Sequence, residues 1–182
     1  MRLTLHHHPD GAEVTGPNAI IYAVAAGAAY VAPAGVAGEA LSWNLVGDQN
    51  GASGALLASP VALDPQTDWL MRCDRVEFEP GGIAYRHTHP GPGIRFLLRG
   101  EITIESEGRV NTYGPGQAWF ERGPDPVLAT TSPREPSAFA RALLLPVAHA
   151  GQRTIRYVDP ADAEKPKTQK ATIFCEVPLV RT

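Results

Sequence analysis

Short segments in which apolar and polar residues alternate follow one another through the second half of the chain. Residues 69–79 form the longest of them, and the pair Gly81-Gly82 follows it closely. Alternation with a period of two places one face of a strand in a core and the other face in solvent. Further strands are predicted at residues 83–89, 94–98, 102–105, 110–113, 117–121, 127–131, 139–147 and 171–177. Short strands separated by Gly and Pro turns are typical of a β-sandwich or barrel, so we expect an all-β fold.

The first part of the chain has a weaker pattern. Residues 20–24 and 41–46 predict two strands, and the alanine-rich run between them fits either strands or a short helix. Residues 1–18 are interpreted as an irregular or edge segment. Residues 47–53 are predicted to be a loop, because they are rich in Gly, Asp, Asn and Ser.

These patterns predict one barrel domain with additions at both ends. We expect residues 1–68 to be an N-terminal extension with extra strands that packs on the barrel, and residues 69–148 to be the core. Residues 149–182 are expected to form a C-terminal segment with a returning strand. Asp159 followed by Pro160 predicts one short helical turn in that segment, because Asp is a good N-cap and Pro suits the first helical position.

Composition narrows the possible partners and the compartment. The chain of 182 residues carries 16 Lys and Arg against 19 Asp and Glu, a net charge of −3, and this balance argues against a nucleic-acid surface. Cys73 and Cys175 match no CxxC pattern, so free thiols in a reducing, cytoplasmic location are expected. The apolar run at residues 19–40 lacks a basic flank and contains Pro33 and Gly35, so neither a signal peptide nor a membrane span is expected.

Two histidines carry the clearest chemical signal. His87 and His89 lie two residues apart in a predicted strand, between Gly81-Gly82 and the turn residues at 90–93. Residues i and i+2 of a strand point to the same face, so the two imidazoles can meet at one point, as in half of a metal site. The alternative is a structural pair bonded to backbone groups. The run at residues 6–8 is interpreted as three solvated histidines.

Residues 81–131 resemble the two motifs of the cupin superfamily. Gly81, His87, His89 and Gly100 fall in the register of the first motif, and the segment at 114–121 fits the beginning of the second. The resemblance implies a cupin-like jelly-roll β-barrel with a ligand cavity. It also implies a divalent transition metal (Fe, Mn, Ni, Zn or Cu) and pairing of the barrels into a homodimer.

The motifs depart from the family pattern at two metal-binding positions. Gly93 stands where the family has its Glu, and Val127 stands where it has its last His. Glu121 is the best candidate for a third, carboxylate ligand, with a rim position beside an Arg as the alternative. Arg95 has the strand parity of Gly93 and is expected to point inward, where it would bind a substrate carboxylate or pair with Glu121. The alternative is that the strand starts late and Arg95 reaches solvent.

Two further side chains are candidates for the same site. Tyr85 shares the parity of His87 and His89, so it would line the cavity or donate a proton, or simply pack. Gln117 begins the strand that leads to Glu121 and is interpreted first as a turn residue.

Arg141, in the apolar run at 138–147, needs a buried carboxylate, for which Glu77, Glu79 and Glu121 are candidates.

The leading hypothesis is a metal-dependent cupin enzyme that acts on a small, largely apolar organic substrate. His87 and His89 would hold the metal with Glu121, and a dioxygenase, lyase, isomerase or cyclase reaction would suit the fold. The alternative is a non-catalytic small-molecule-binding cupin that has lost its metal. A third reading is a metal-free barrel in which one histidine acts as base and Tyr85 as acid.

Overall fold

The computed structural model describes residues 1–47 and 52–180. Within these ranges the chain consists of β-strands and two short 3-10 helices, Val147–His149 and Pro160–Ala163. Its residues fall into two compact units. Unit 1 contains Met1–Cys73, Ala142–Ala150 and Ile173–Thr182, and unit 2 contains Asp74–Arg141 and Gly151–Thr172. The predicted loop at 47–53 lies largely outside the described residues.

Seven strands come from the N-terminal part of unit 1. They are β1 (Arg2–His8), β2 (Gly11–Val14), β3 (Ala19–Ala23), β4 (Ala28–Val31), β5 (Ala34–Ala37), β6 (Ala40–Val46) and β7 (Leu57–Pro60). Five of them form a sheet in the order β4-β3-β6-β1-β7, and β2 pairs with β5. A small apolar cluster that includes Val14, Ala19 and Ile21 belongs to this part of the chain. The extra N-terminal strands are therefore present, and the alanine-rich run forms strands rather than a helix.

The interpretation of residues 1–18 as an irregular or edge segment is wrong. β1 occupies an interior position in its sheet, paired antiparallel with both β6 and β7. Leu3 and Leu5 are fully buried on one face of the strand, and Thr4 is fully buried on the other. Burial on both faces removes the simple inside–outside alternation, and three consecutive histidines after Leu5 further obscure the strand pattern.

The remaining strands build two five-stranded sheets. They are β8 (Trp69–Phe78), β9 (Ile83–Thr88), β10 (Gly93–Arg99), β11 (Ile102–Ser106), β12 (Arg109–Tyr113), β13 (Ala118–Glu121), β14 (Val127–Thr131), β15 (Ser137–Pro146), β16 (Arg156–Tyr157) and β17 (Gln169–Pro178). One sheet has the order β13-β10-β15-β8-β17 and the other β12-β11-β14-β9-β16. This arrangement confirms the predicted all-β jelly roll. The sequence pattern did not indicate β16.

Apolar side chains fill the core of unit 2. Trp119 stacks on Tyr113 with ring centroids 4.9 Å apart and meets Phe139 edge-on at 5.3 Å. Leu97 and Ile102 in the same cluster are fully buried. Offset and edge-on aromatic pairs of this kind add to the stability that comes from buried area alone. They also form an apolar wall next to the residues of the candidate site.

The smaller predictions for the C-terminal segment and the cysteines are confirmed. Asp159 caps the 3-10 helix at Pro160–Ala163 by accepting a hydrogen bond from the backbone N–H of Ala161. Neither Cys73 nor Cys175 forms a disulfide. No helix in the described part of the chain combines the length and the apolar character needed to cross a membrane.

Candidate functional site

A β-bulge in β9 lies just before the histidine pair. Val127 of β14 pairs with His87, whereas Ala129 pairs with Ala84, so β9 carries one more residue than β14 over this interval. The extra residue lies at 85–86 and interrupts the alternation along the strand. Ala84 and His87 are both buried as a result, and Tyr85 is only half-buried.

The two imidazoles meet through their Nε2 atoms. His87 Nε2 lies 3.2 Å from His89 Nε2, and both side chains are almost completely buried. His87 Nδ1 lies 2.7 Å from the carbonyl oxygen of Tyr85. Because a carbonyl can only accept, Nδ1 of His87 carries the proton and its Nε2 lone pair is directed towards His89. His89 Nε2 faces that lone pair, and the backbone of Thr154 is a further hydrogen-bond partner of His89.

Burial keeps both histidines neutral. Desolvation lowers the pKa of His87, and the hydrogen bond to Tyr85 only partly opposes it. The pKa of His89 is lowered well below its ordinary value by burial and then by the charges of Arg141 and Arg95. A neutral imidazole with a free lone pair is the form that binds a metal or accepts a proton.

The backbone that holds His89 depends on a close approach of two glycines. The N–H of His89 donates to the carbonyl of Gly123 at 2.8 Å. Gly123 has a φ of +103°, and a Cβ placed on it would lie 2.3 Å from the carbonyl oxygen of Gly91. The loop after β13 can therefore reach His89 only because residue 123 has no side chain.

Replacement of Gly123 by alanine should destabilise the protein by about 2 kcal/mol more than replacement of Gly116 by alanine. Gly116 also has a positive φ, +83°, but a Cβ there would meet nothing within 4 Å. The pair of variants thus separates the steric clash from the backbone strain. Urea unfolding followed by tryptophan fluorescence measures both, and equal losses of stability would contradict the role assigned to the close approach.

Arg95 and Glu121 form a buried ion pair beside the histidines. In the pairing of β10 with β13, Gly93 lies opposite Glu121 and Arg95 lies opposite Trp119. Arg95 Nη2 lies 2.6 Å from Glu121 Oε2, and Trp119 Nε1 donates to Glu121 Oε1 at 2.8 Å. Arg95 is fully buried, and its Nη1 donates to the carbonyl of Gly93 at 2.6 Å. The pairing of Arg95 with Glu121, which the sequence offered as one of two roles, is present.

Buried polar atoms of this cluster are incompletely hydrogen-bonded. Arg95 Nε is buried without a hydrogen bond, and the buried atoms Arg95 Nη2 and Glu121 Oε2 meet only in the ion pair. Desolvation lowers the pKa of Arg95 to about 10, against the raising effect of Glu121. Buried polar groups without hydrogen bonds are costly, and their concentration in one place marks a site that a ligand can complete.

A second buried ion pair supports the site. Arg141 donates through Nε to Asp74 Oδ1 at 2.6 Å and through Nη2 to Asp74 Oδ2 at 3.2 Å. The carboxylate partner of Arg141 is thus Asp74, and the candidates Glu77, Glu79 and Glu121 were wrong. Asp74 was missed because strand alternation predicts which face a residue occupies but not which strand lies alongside. The long-range order that places β8 next to β15 has no local signal.

The side chains of Tyr85 and Gln117 have neighbours other than the histidines. Lys165 Nζ lies 4.5 Å from the centre of the Tyr85 ring and also pairs with Asp162 at 2.5 Å. The role of Tyr85 as a proton donor stays a prediction. Gln117 accepts a hydrogen bond from the N–H of Gly114 at 2.7 Å, which is a turn contact.

Two of the residues present, His87 and His89, are spaced to bind one metal ion. Two imidazole nitrogens bound at about 2.1 Å to one ion would lie roughly 3.0–3.4 Å apart for bond angles between a right angle and a tetrahedral angle. The observed 3.2 Å between the two Nε2 atoms falls in that interval. Glu121 Oε2 lies 3.8 Å from His89 Nε2. In the described ranges, no group of three or more His, Cys, Asp and Glu side chains is arranged to hold a metal ion.

The family model described as "Cupin domain" matches residues 74–124, which include the histidine pair, Arg95 and Glu121. Residues 74–124 therefore form a cupin domain. The match covers the end of β8 and all of the strands from β9 to β13. The resemblance drawn from the histidine and glycine spacing is thereby confirmed.

Solved structures similar to this cupin include enzymes and a protein described only by its fold. The polyketide cyclase RemF from Streptomyces resistomycificus is 23% identical over 48% of this chain and 61% of its own, with a TM-score of 0.40. The DMSP lyase DddQ from Ruegeria pomeroyi is 23% identical over 50% of this chain and 44% of its own, with a TM-score of 0.43. An RmlC-like cupin from Shewanella frigidimarina is 15% identical over 47% of this chain and 90% of its own, with a TM-score of 0.38.

This cupin matches less than two thirds of the length of the cyclase and of the lyase. A search of curated proteins found no match.

Proposed function

We propose that this cupin is a metal-dependent enzyme for a small, largely apolar organic substrate. His87 and His89 are the metal ligands, and Glu121 is the carboxylate nearest to them. The observation that carries the proposal is the pair of buried Nε2 atoms 3.2 Å apart, with Nδ1 of His87 fixed by the Tyr85 carbonyl. A backbone acceptor on the far nitrogen is the usual means by which a protein orients a metal-binding histidine.

The strand register supports a role for Glu121. Gly93 takes the place of the metal-binding Glu of the family, and Glu121 lies directly opposite it on the neighbouring strand. Directly paired residues of two antiparallel strands have Cβ positions about 5 Å apart, so Glu121 can bring a carboxylate towards the place that Gly93 leaves empty. Trp119 and Arg95 hold its two oxygens, one each.

The metal, Arg95 and the aromatic side chains would each have a different role in the reaction. When bound, the metal would supply a Lewis acid or an oxygen-activating centre for dioxygenase, lyase, isomerase or cyclase chemistry. Arg95 has a buried Nε without a hydrogen bond and can orient an anionic group of the substrate. Trp119 and Phe139 supply an apolar wall that excludes water from the neighbourhood of Glu121.

Metal content tests the proposal. The protein, purified without a histidine tag, is incubated separately with Fe, Mn, Ni, Zn and Cu, freed of excess metal, and assayed by elemental analysis. Close to one equivalent of at least one metal should be retained. Less than about a tenth of an equivalent for every metal would contradict the proposal, because a functional site of this kind retains its ion through gel filtration.

The histidines of β1 require a control in this assay. His6 and His8 lie on one strand with stacked rings 6.1 Å apart, and histidine-rich surfaces capture transition metals weakly. The variant His6→Gln should retain as much metal as the wild type. If the His6→Gln variant retains no metal, the ion binds at β1 and not at the candidate site.

A second candidate function is a binding cupin without a metal. The observation that favours it is the 2.6 Å ion pair, which already engages the carboxylate nearest to the histidines. This reading predicts that small organic anions bind equally well before and after treatment with a chelator. Calorimetric titration of chelator-treated protein distinguishes it from the leading proposal. A homodimer and a cytoplasmic location stay predictions.

A further inference from the structure

A cleft in unit 1 is formed by residues that play no part in the candidate site. Its volume is about 550 Å³, and small-molecule sites typically have volumes of about 300–1,000 Å³. All of its lining residues belong to unit 1, whereas His87, His89 and Glu121 belong to unit 2. Most of the lining side chains are apolar or aromatic, among them Leu63 and Trp69.

One turn brings a carboxylate and an indole to this cleft. Asp64 Oδ1 accepts a hydrogen bond from the N–H of Gln66 at 2.9 Å, and Asp64 Oδ2 accepts one from the hydroxyl of Thr67 at 2.8 Å. The carbonyl oxygen of Asp64 accepts from the indole N–H of Trp69 at 3.0 Å. The Gln66 N–H, and then the Thr67 hydroxyl, lower the pKa of Asp64. Its carboxylate is therefore ionised, and each oxygen can still accept one more hydrogen bond.

Hydrogen bonds also fix the wall of the cleft that follows β17. The N–H of Leu179 donates to the carbonyl oxygen of Trp69 at 2.8 Å. The side chain of Asn18 bonds to both backbone groups of Val180, accepting from its N–H at 2.7 Å and donating to its carbonyl at 2.8 Å. The cleft is thus formed before a ligand arrives, and this lowers the entropic cost of binding.

Apolar surface and negative charge lie side by side in this cleft. Val147 and Val180 line it although they are 40% and 57% exposed. Its lining carboxylates are Asp64 and Asp68, and no Lys or Arg lines it within the described ranges. Contiguous exposed apolar surface marks a binding site, and carboxylates without a lining cationic side chain favour a positively charged ligand.

We infer that this cleft binds a small organic cation, namely a protonated amine that carries an apolar chain or ring. The ammonium group bonds to the carboxylate of Asp64, and the apolar body packs against Trp69 and the neighbouring aliphatic side chains. The negative face of an indole also attracts an ammonium group that lies close to it. This binding site is additional to the proposed metal centre.

Titrations with three molecules of one chain length test the inference. Octylamine, octanol and octanoate carry a positive, a neutral and a negative head group. The protein is first freed of metal with a chelator, because amines also bind metal ions. Calorimetry measures the affinities, and the emission of Trp69 reports on the cleft, since Trp43 and Trp119 are almost completely buried and Trp69 is not. Octylamine should bind about fivefold more tightly than octanol, as expected for one ion pair at an exposed carboxylate, and octanoate should bind most weakly.

Matched variants locate the binding. Asp64→Asn keeps the shape of the side chain and removes its charge, so octylamine should then bind no more tightly than octanol. Asp10→Asn, at an exposed turn residue that does not line the cleft, should leave the three affinities unchanged. Val180→Arg adds a cation and bulk to the cleft and should weaken octylamine binding at least fivefold. Val110→Arg is its control, because Val110 is 65% exposed on β12.

Three results would overturn the inference: no saturable binding of octylamine, equal affinity for all three molecules, or octylamine binding that Val180→Arg leaves unchanged. In the last case the amine binds elsewhere on the protein. None of these results bears on the metal content of the candidate site, so the cleft and the metal centre are tested independently. Thermal unfolding verifies that each variant folds.

Discussion

Replacement of His87 by alanine is expected to weaken metal binding at least 100-fold. The residue supplies one of only two imidazole nitrogens at the candidate centre, and its tautomer is fixed by the Tyr85 carbonyl at 2.7 Å. Loss of a residue that merely orients a ligand costs a metal site about 10–100-fold in affinity, so loss of a ligand should cost more. Calorimetric titration with the metal that the wild type retains best measures the change.

His149 provides the matched control for this variant. It lies at the end of the 3-10 helix Val147–His149, and its contact with Arg72 is made by its backbone carbonyl, which alanine preserves. His149→Ala should therefore bind metal like the wild type. If His87→Ala binds metal as tightly as His149→Ala does, the histidine pair is structural and the metal-dependent reading of this cupin is lost.

Replacement of Asp74 by alanine should lower the free energy of unfolding by about 3–5 kcal/mol. Asp74 is almost completely buried, and both of its oxygens accept hydrogen bonds from Arg141, which is itself 6% exposed. The variant leaves the Arg141 guanidinium buried without a counter-charge, and this penalty is larger than the net contribution of most ion pairs. Urea unfolding monitored by circular dichroism measures the loss.

Two further variants establish the cause. Glu105→Ala breaks an ion pair with Arg86 at a site where both side chains are about 40% exposed, and it should cost less than about 1 kcal/mol. The double variant Asp74→Leu with Arg141→Met removes both charges and should recover most of the stability lost by Asp74→Ala. An Asp74→Ala variant no less stable than Glu105→Ala would show that solvent reaches Arg141.

The strands of unit 2 were predictable because each carries its own signal. β11, for example, alternates Ile102 and Ile104 with polar residues and is followed by a Gly-containing turn, and both isoleucines are buried. β16 has only two residues, Arg156–Tyr157, so no alternation can develop in it. The bulge in β9 has no local signal either, and it changes the positions of Tyr85 and His87 relative to each other.

The position of a side chain in the candidate site was predictable where only the alternation along its strand determines which face it occupies. Arg95 shares the parity of Gly93, and it is buried next to Glu121 as that parity requires. Contacts that depend on which strands are neighbours were not predictable. Arg141, for example, pairs with Asp74 on a strand far away in the sequence.

The interior position of β1 constrains the order in which the protein can fold during synthesis. Leu5 leaves the ribosome first but pairs with Trp43 of β6 and Leu57 of β7, so its sheet cannot be complete until residue 60 has emerged. Until residue 46 has emerged, the two fully buried leucines Leu3 and Leu5 have no partner strand. Pairing across such sequence distances slows folding and prolongs the exposure of apolar surface. β1 is therefore the segment at which chaperone binding or premature association would begin.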